Sequence, residues 1–250
     1  MDSNTDKVKP TYNPRKDANI FSVLFFSWVI PLLKNGYRKD LEQQDLYESL
    51  DKDHSEVLGS RLEREWTKEL EGINHDANKS ENKASNDSTP KLRNAFIRTF
   101  ASSFIYPGII CFIEECAIRL LQPWFMGQFM SYFIHGNDTT ETTFLMATFY
   151  AAGVVLMSAC YCITHHIYFF EVLMIGMRLR IAAASLIYRK SLRLSGESVS
   201  KYTTGKIVNL LSNDVNRFDN TALFLHYLWV APLQFAIVYT LRGRDLERLR

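Results

Sequence analysis

An all-α membrane protein with three membrane-spanning segments and long cytoplasmic helical extensions is the fold class that these 250 residues predict. Three observations carry that prediction. First, a mean hydropathy of −0.12 and a net charge of +2 hide an uneven charge distribution. Residues 1–100 hold 16 basic and 17 acidic side chains, whereas the 58 residues from Leu120 to Met177 contain no Lys or Arg and only Asp138, Glu141 and Glu171 as charges. A soluble stretch of that length carries roughly a quarter charged residues. Second, three apolar runs reach about the 20 residues that a helix needs to cross a hydrocarbon core. Third, basic residues are absent from 134–142 and concentrated in 178–217, the kind of asymmetry that orients membrane helices. The near-neutral balance also excludes a nucleic-acid-binding module that works by neutralising phosphates.

The elements follow in chain order. Ile20–Leu33 comes after Arg15-Lys16 and has the length of a signal-peptide core, but no small-residue cleavage site follows, and Pro31 and Lys34-Asn35-Gly36 end the run. At 14 residues it is too short to span a bilayer, so an interfacial amphipathic helix is expected. Residues 71–92, rich in Asn, Ser, Lys and Asp, bury too little apolar surface to fold and read as a disordered linker. The first span is Phe104–Phe133, apolar apart from Glu114, Glu115, Arg119, Gln122, Gln128 and a few hydroxyls; the second is about 143–170. The third, Leu223–Leu241, is near the minimum length and contains Pro232, which a membrane helix tolerates when neighbours satisfy the freed carbonyl. Arg178, Arg180, Arg189, Lys190, Arg193, Lys201, Lys206 and Arg217 place the segment after the second span inside, which makes the N-terminus cytoplasmic and the first loop external. Asn137, in the sequon Asn137-Asp138-Thr139, then becomes a glycosylation acceptor. Matching triplets at Asn78 and Asn86 fall on the cytoplasmic side and read as chance.

Past the second span the helical period continues from Glu171 to Leu194 with no proline to stop it. Ser195-Gly196 breaks the pattern. Thr203 or Thr204 can cap a new helix with Ile207, Leu210, Leu211, Val215 and Phe218 on one face. This hairpin reads either as an amphipathic pair packing on itself or the bilayer, or as a docking elbow for a partner domain. Glu114, Glu115 and Arg119 are expensive in hydrocarbon and are expected to face the bundle interior or water, with Glu115 and Arg119 able to pair across one turn. The four cysteines, Cys111, Cys116, Cys160 and Cys162, lie within spans and read as small buried hydrophobes; no metal site is expected. Gly205-Lys206 is not a phosphate-binding loop, since Ser200 stands at the first glycine position and Ile207 where Ser or Thr is required. No catalytic or cofactor-binding residue is therefore assigned.

Several ordered blocks carry a family resemblance: Gly176-Met177-Arg178-Leu179-Arg180, Ile187-Tyr188-Arg189-Lys190-Ser191-Leu192-Arg193-Leu194-Ser195, and Thr204-Gly205-Lys206-Ile207-Val208-Asn209-Leu210-Leu211-Ser212-Asn213-Asp214-Val215. Asn13-Pro14, Phe25-Phe26-Ser27-Trp28, Glu114-Glu115, Gln122-Pro123, His165-His166-Ile167-Tyr168-Phe169 and Leu228-Trp229-Val230-Ala231-Pro232 support them. Over about residues 13–241 the chain resembles the first transmembrane domain of C-subfamily ATP-binding-cassette exporters, which implies a partial type I exporter domain over 93–241. By that resemblance residues 1–70 form a cytoplasmic lasso and elbow helix. The turn at about 196–204, with Gly196, Ser200, Lys201, Tyr202, Thr203 and Thr204, is the coupling helix that receives motion from a nucleotide-binding domain. Arg119, His165, Phe169, Phe224 and Trp229 fall at substrate-contacting positions for amphipathic organic anions or xenobiotics. The family implies ATP and magnesium on nucleotide-binding domains, the remaining transmembrane helices and membrane lipid as partners, and a multi-pass location in the plasma membrane. The family pattern departs at 242–250, a charged tail, and the expectation is a truncated exporter fragment, inactive alone. The alternative is a non-transporting membrane interaction or regulatory fragment.

Overall fold

In a computed structural model, residues 11–79, 89–135, 144–194 and 204–248 are described. Among them helices dominate, and the one β feature is an isolated parallel bridge between Thr11 and Tyr47. That bridge, with Glu48 N–H donating to Thr11 O at 2.9 Å and Asn13 Nδ2 donating to Glu48 O at 2.8 Å, closes the N-terminal segment into a loop.

Two short helices follow, α1 (Ile20–Leu24) and α2 (Ile30–Arg38). Asn19 caps α1 by accepting from the Ser22 N–H at 2.8 Å. The single interfacial helix expected over Ile20–Leu33 is thus broken. Phe26 turns into the left-handed region at φ 53°, and Pro31 stands in the first turn of α2, where its missing N–H costs nothing. The interfacial character survives the break: Ile20, Phe21, Phe25, Leu33 and Tyr37 all present their side chains outward.

Helix α3 (Ser55–Lys79) overturns the first part of the expected linker, which runs as helix as far as Lys79. Composition undercounted this stretch because helix growth is cooperative. Leu58 and Leu62 are buried one turn apart with Trp66 packed beside them, and a helix nucleated there extends cheaply into polar residues.

The first span is α4 (Leu92–Ile113), a π-helical turn at Glu114–Ile118, and α5 (Arg119–His135). Prolines 107 and 123 sit inside these helices. The second span is α6 (Phe144–Leu192), which continues without interruption past Glu171, as the periodicity predicts. The third comprises α7 (Thr204–Asn209), a π turn (Leu210–Asp214), α8 (Arg217–Leu225) and α9 (Tyr227–Arg248), with the third expected span extended at both ends. Among the described residues three stretches are long and apolar enough to cross a membrane: Leu92–Ile134, Phe144–Leu192 and Gly205–Leu241. At 1.5 Å per residue they measure about 64, 73 and 55 Å, against a hydrocarbon core of about 30 Å. Each therefore protrudes well beyond a bilayer.

Two apolar clusters hold the bundle. Near its basic end, Leu58 and Leu62 of α3 meet Ala95 and Phe100 of α4 and Ile175, Leu179 and Ala182 of α6. Deeper, Cys111, Tyr168, Val172, Ala222 and Val230 pack together. Residues 168, 172, 175, 179 and 182 step along α6 by three or four, so one stripe serves both clusters. Gly176 lets α8 approach closely, since a Cβ there would lie 3.0 Å from Asp219 Cα.

Candidate functional site

The described polar side chains gather in two places. The first lies midway along the spans. The π turn at Glu114–Ile118 inserts an extra residue into the helical register, and both carboxylates that precede Arg119 are buried, at 1% and 3% exposure. Glu114 Oε1 accepts from His165 Nδ1 at 2.6 Å, which ties the first span to the second, while Glu114 Oε2 is buried with no partner among the described residues. Glu115 accepts from Arg119 Nη1 at 2.8 Å through both oxygens, the pair that the four-residue spacing predicts. Gln234 Nε2 donates to Glu115 O at 3.1 Å and Oε2 at 3.2 Å, bringing in the third span. A separate link nearby joins the same elements: Tyr168 Oη donates to Leu223 O at 3.2 Å, and His226 Nε2 meets Phe104 O at 3.0 Å.

The five expected pocket residues are not one cluster. His165 and Phe169 pack ring on ring at 4.5 Å, with Tyr161 stacked on the other side of His165 at 5.3 Å. Arg119 is half exposed and already paired. Trp229 stacks on Phe112 at 6.3 Å and lines a cavity of about 560 Å³ with Gly108 and His226. Phe224 lies on the outer surface, 68% exposed. Tyr168 and His226 have no place in the sequence reading beyond the block His165–Phe169; a lone histidine in the apolar run 222–241 was the available signal. Among the described residues no group of His, Cys, Asp or Glu could hold a metal ion.

The second place is the basic end. Arg15 Nη2 meets Glu171 Oε1 at 3.3 Å and lies over the Phe170 ring at 4.6 Å. Arg178 Nε donates to Asp53 at 2.6 Å. Arg189 and Arg193 both donate to Glu63, at 2.8 and 2.9 Å, and the Arg189 hydrogen bond foremost, with help from Arg193, holds the Glu63 carboxyl below the ordinary glutamate range. The N-terminal segment and α3 are in this way fastened along α6 over 22 residues, about 33 Å. The expected coupling residues Gly196, Ser200, Lys201, Tyr202 and Thr203, and the acceptor Asn137, lie outside the described residues; Thr204 opens α7.

Three apolar helices that overshoot a bilayer and stay packed past its edge define a multi-pass membrane domain. Residues 104–241 match the ABC transporter transmembrane region, and the chain belongs to that family of membrane proteins. Among its relatives, ATP-binding cassette sub-family C member 4 of Mus musculus is 42% identical over 94% of this chain, and that of Homo sapiens is 42% identical over 96%. The probable multidrug resistance-associated protein lethal(2)03659 of Drosophila melanogaster is 34% identical over 96%. The chain spans 16–17% of the length of these relatives.

Proposed function

We propose that this chain supplies the lasso, elbow and first three transmembrane helices of an ATP-driven exporter of amphipathic organic anions in the plasma membrane. Energy comes from nucleotide-binding domains that carry ATP and magnesium, contacting the chain at about residues 196–204. The observation that supports this most is the set of three overlong helices, still packed on one another beyond bilayer length, in a chain of this family. The basic end, with Arg178, Arg180, Arg189, Lys190 and Arg193, sits on the cytoplasmic side. His165 and Phe169 offer a ring surface to apolar substrate, and Arg119, half exposed, offers a cation that an anion shares with Glu115.

Co-expressing the chain with the remaining portion of the human sub-family C relative, and measuring ATP-dependent uptake of an amphipathic organic anion by inside-out vesicles, tests the reading. Uptake that needs both portions and falls at least tenfold in Arg119→Ala is expected. Assembly of the two portions without uptake would assign the chain to a non-transporting interaction role instead.

A further inference from the structure

We infer that Glu114 makes His165 a proton-gated anion ligand: Nε2 donates to an organic anion only while the buried pair is electrically neutral, so that binding the anion at alkaline pH takes up one proton from water. This assignment rests on the exporter reading above, in which His165 meets the anion. The two ring nitrogens differ. Nδ1 is committed to Glu114 Oε1 at 2.6 Å, whereas Nε2 is accessible and meets no partner among the described residues, on a side chain that is 35% exposed. Glu114 itself is 1% exposed, and its Oε2 has no partner among the described residues. A surface histidine would exchange its tautomers freely; this one is gripped on one side by a carboxyl that water does not reach.

The proton count follows from that grip. In the neutral pair one hydrogen sits between Oε1 and Nδ1 and a second on Nε2, whichever of the two linked atoms holds the first, and Nε2 then donates to an anion. When the second proton leaves to water the pair becomes negative, and Nε2 turns a lone pair toward the ligand beside a buried charge. Burial and the orphaned Oε2 both penalise that form. Glu114 is thus a positioning residue that makes the donor form the neutral one. The groups around it leave the linkage to the pair. Glu115 and Arg119 neutralise each other, and Cys111, Tyr168 and Tyr227 lie within electrostatic reach of Glu114, with Tyr161 stacked on the His165 ring. Phenols ordinarily keep their protons until about pH 10, and Cys111 and His226 are buried. His166 is exposed and outside the pair.

The test uses the chain assembled with the remaining portion of the human sub-family C relative, purified into phosphatidylcholine nanodiscs without nucleotide, and a fluorescent aryl sulfonate whose own charge is constant over the range used. Its affinity is expected to be highest near pH 6 and to fall at least tenfold by about pH 9. Calorimetry in buffers of different ionisation heat is expected to count close to one proton taken up per sulfonate at the upper pH and close to none at the lower. Glu114→Gln should abolish the fall, since an amide can donate to Nδ1 and leave the hydrogen on Nε2 at any pH, whereas His166→Gln should keep it. An affinity that needs Arg119 but is level across that range, or a fall that persists undiminished in Glu114→Gln, overturns the proton linkage and leaves the exporter reading standing. Absence of saturable binding, or binding indifferent to Arg119→Ala, overturns both.

Discussion

The basic end of the bundle and the middle of the spans use the same residue types in opposite circumstances. At the basic end Arg15–Glu171, Asp53–Arg178 and Glu63 with Arg189 and Arg193 join segments more than 120 residues apart in sequence. Glu63, Arg189 and Arg193 remain partly exposed, and such pairs contribute from nothing to about 1 kcal/mol each. What they set together is register, fixing which turn of α3 lies against which turn of α6. Midway along the spans, Glu114 and Glu115 are almost wholly buried, and every partner they have is supplied by the fold. There a lost partner leaves a charge that neither water nor lipid can satisfy. The partly exposed pairs at the basic end are thus replaceable one at a time, and pairs within the spans are not.

The sharpest test of that contrast is His165→Leu, which strips Glu114 Oε1 of its partner beside an Oε2 that already has none. A loss of about 3 kcal/mol is expected, read as a shift in denaturant titration of the detergent-solubilised chain, with most of it regained in the double variant Glu114→Leu/His165→Leu. If the double variant is no better than the single, the cost is packing and not charge, and the contrast fails. Gly176→Val provides the packing yardstick: the new side chain meets the backbone of Asp219, which cannot yield, and about 2 kcal/mol should be lost with no dependence on salt. Arg178→Ala is expected to cost about 1.5 kcal/mol, between the two regimes, because Asp53 is 6% exposed at its side chain although the pair lies at the basic end.

Smallest is the effect at Glu63. Its carboxyl is held low in the folded chain, so the stabilisation is present above the ordinary glutamate value and disappears as pH falls from about 4.5 through the depressed one. Trp66 packs in the same cluster, and its fluorescence should report α3 loosening from α6 across that acid window. Glu63→Gln should flatten the response, and raising salt should mimic the variant at neutral pH. A salt response of the same size in the Glu114–His165 link would contradict the division between the two regions.

Much of this was legible in the sequence, for reasons that differ by element. The gap in Lys and Arg from 120 to 177 marks the spans because hydrocarbon penalises charge residue by residue, and the Glu115–Arg119 pair follows from helical spacing alone. Glu114 with His165, 51 positions apart, needs the packing of two helices to be known, and no local pattern encodes it. The break at Phe26 was half legible, since Pro31 announces a helix start but not the left-handed residue five places earlier. Composition misjudged 71–79, where helix is inherited from the packed residues before it. Family resemblance marked five pocket positions, but that Tyr168 and His226 are buried between the spans needs the packing of the helices to be known.

The uninterrupted run of α6 has a mechanical meaning. From Glu171 to Leu192 it is a straight-through rod of about 32 Å beyond the second apolar stretch. A rod of that length converts a ~5° tilt at its root into about 3 Å of travel at its tip, roughly half the 5.4 Å pitch of a helical turn. α3 and the N-terminal segment, fastened along the same rod, act as a splint: bending is resisted where the ion pairs lie, and displacement is delivered to the far end instead of being absorbed on the way. Stiffness along α6 is set by ion pairs that run from the buried Asp53–Arg178 to the partly exposed Glu63 with Arg189 and Arg193.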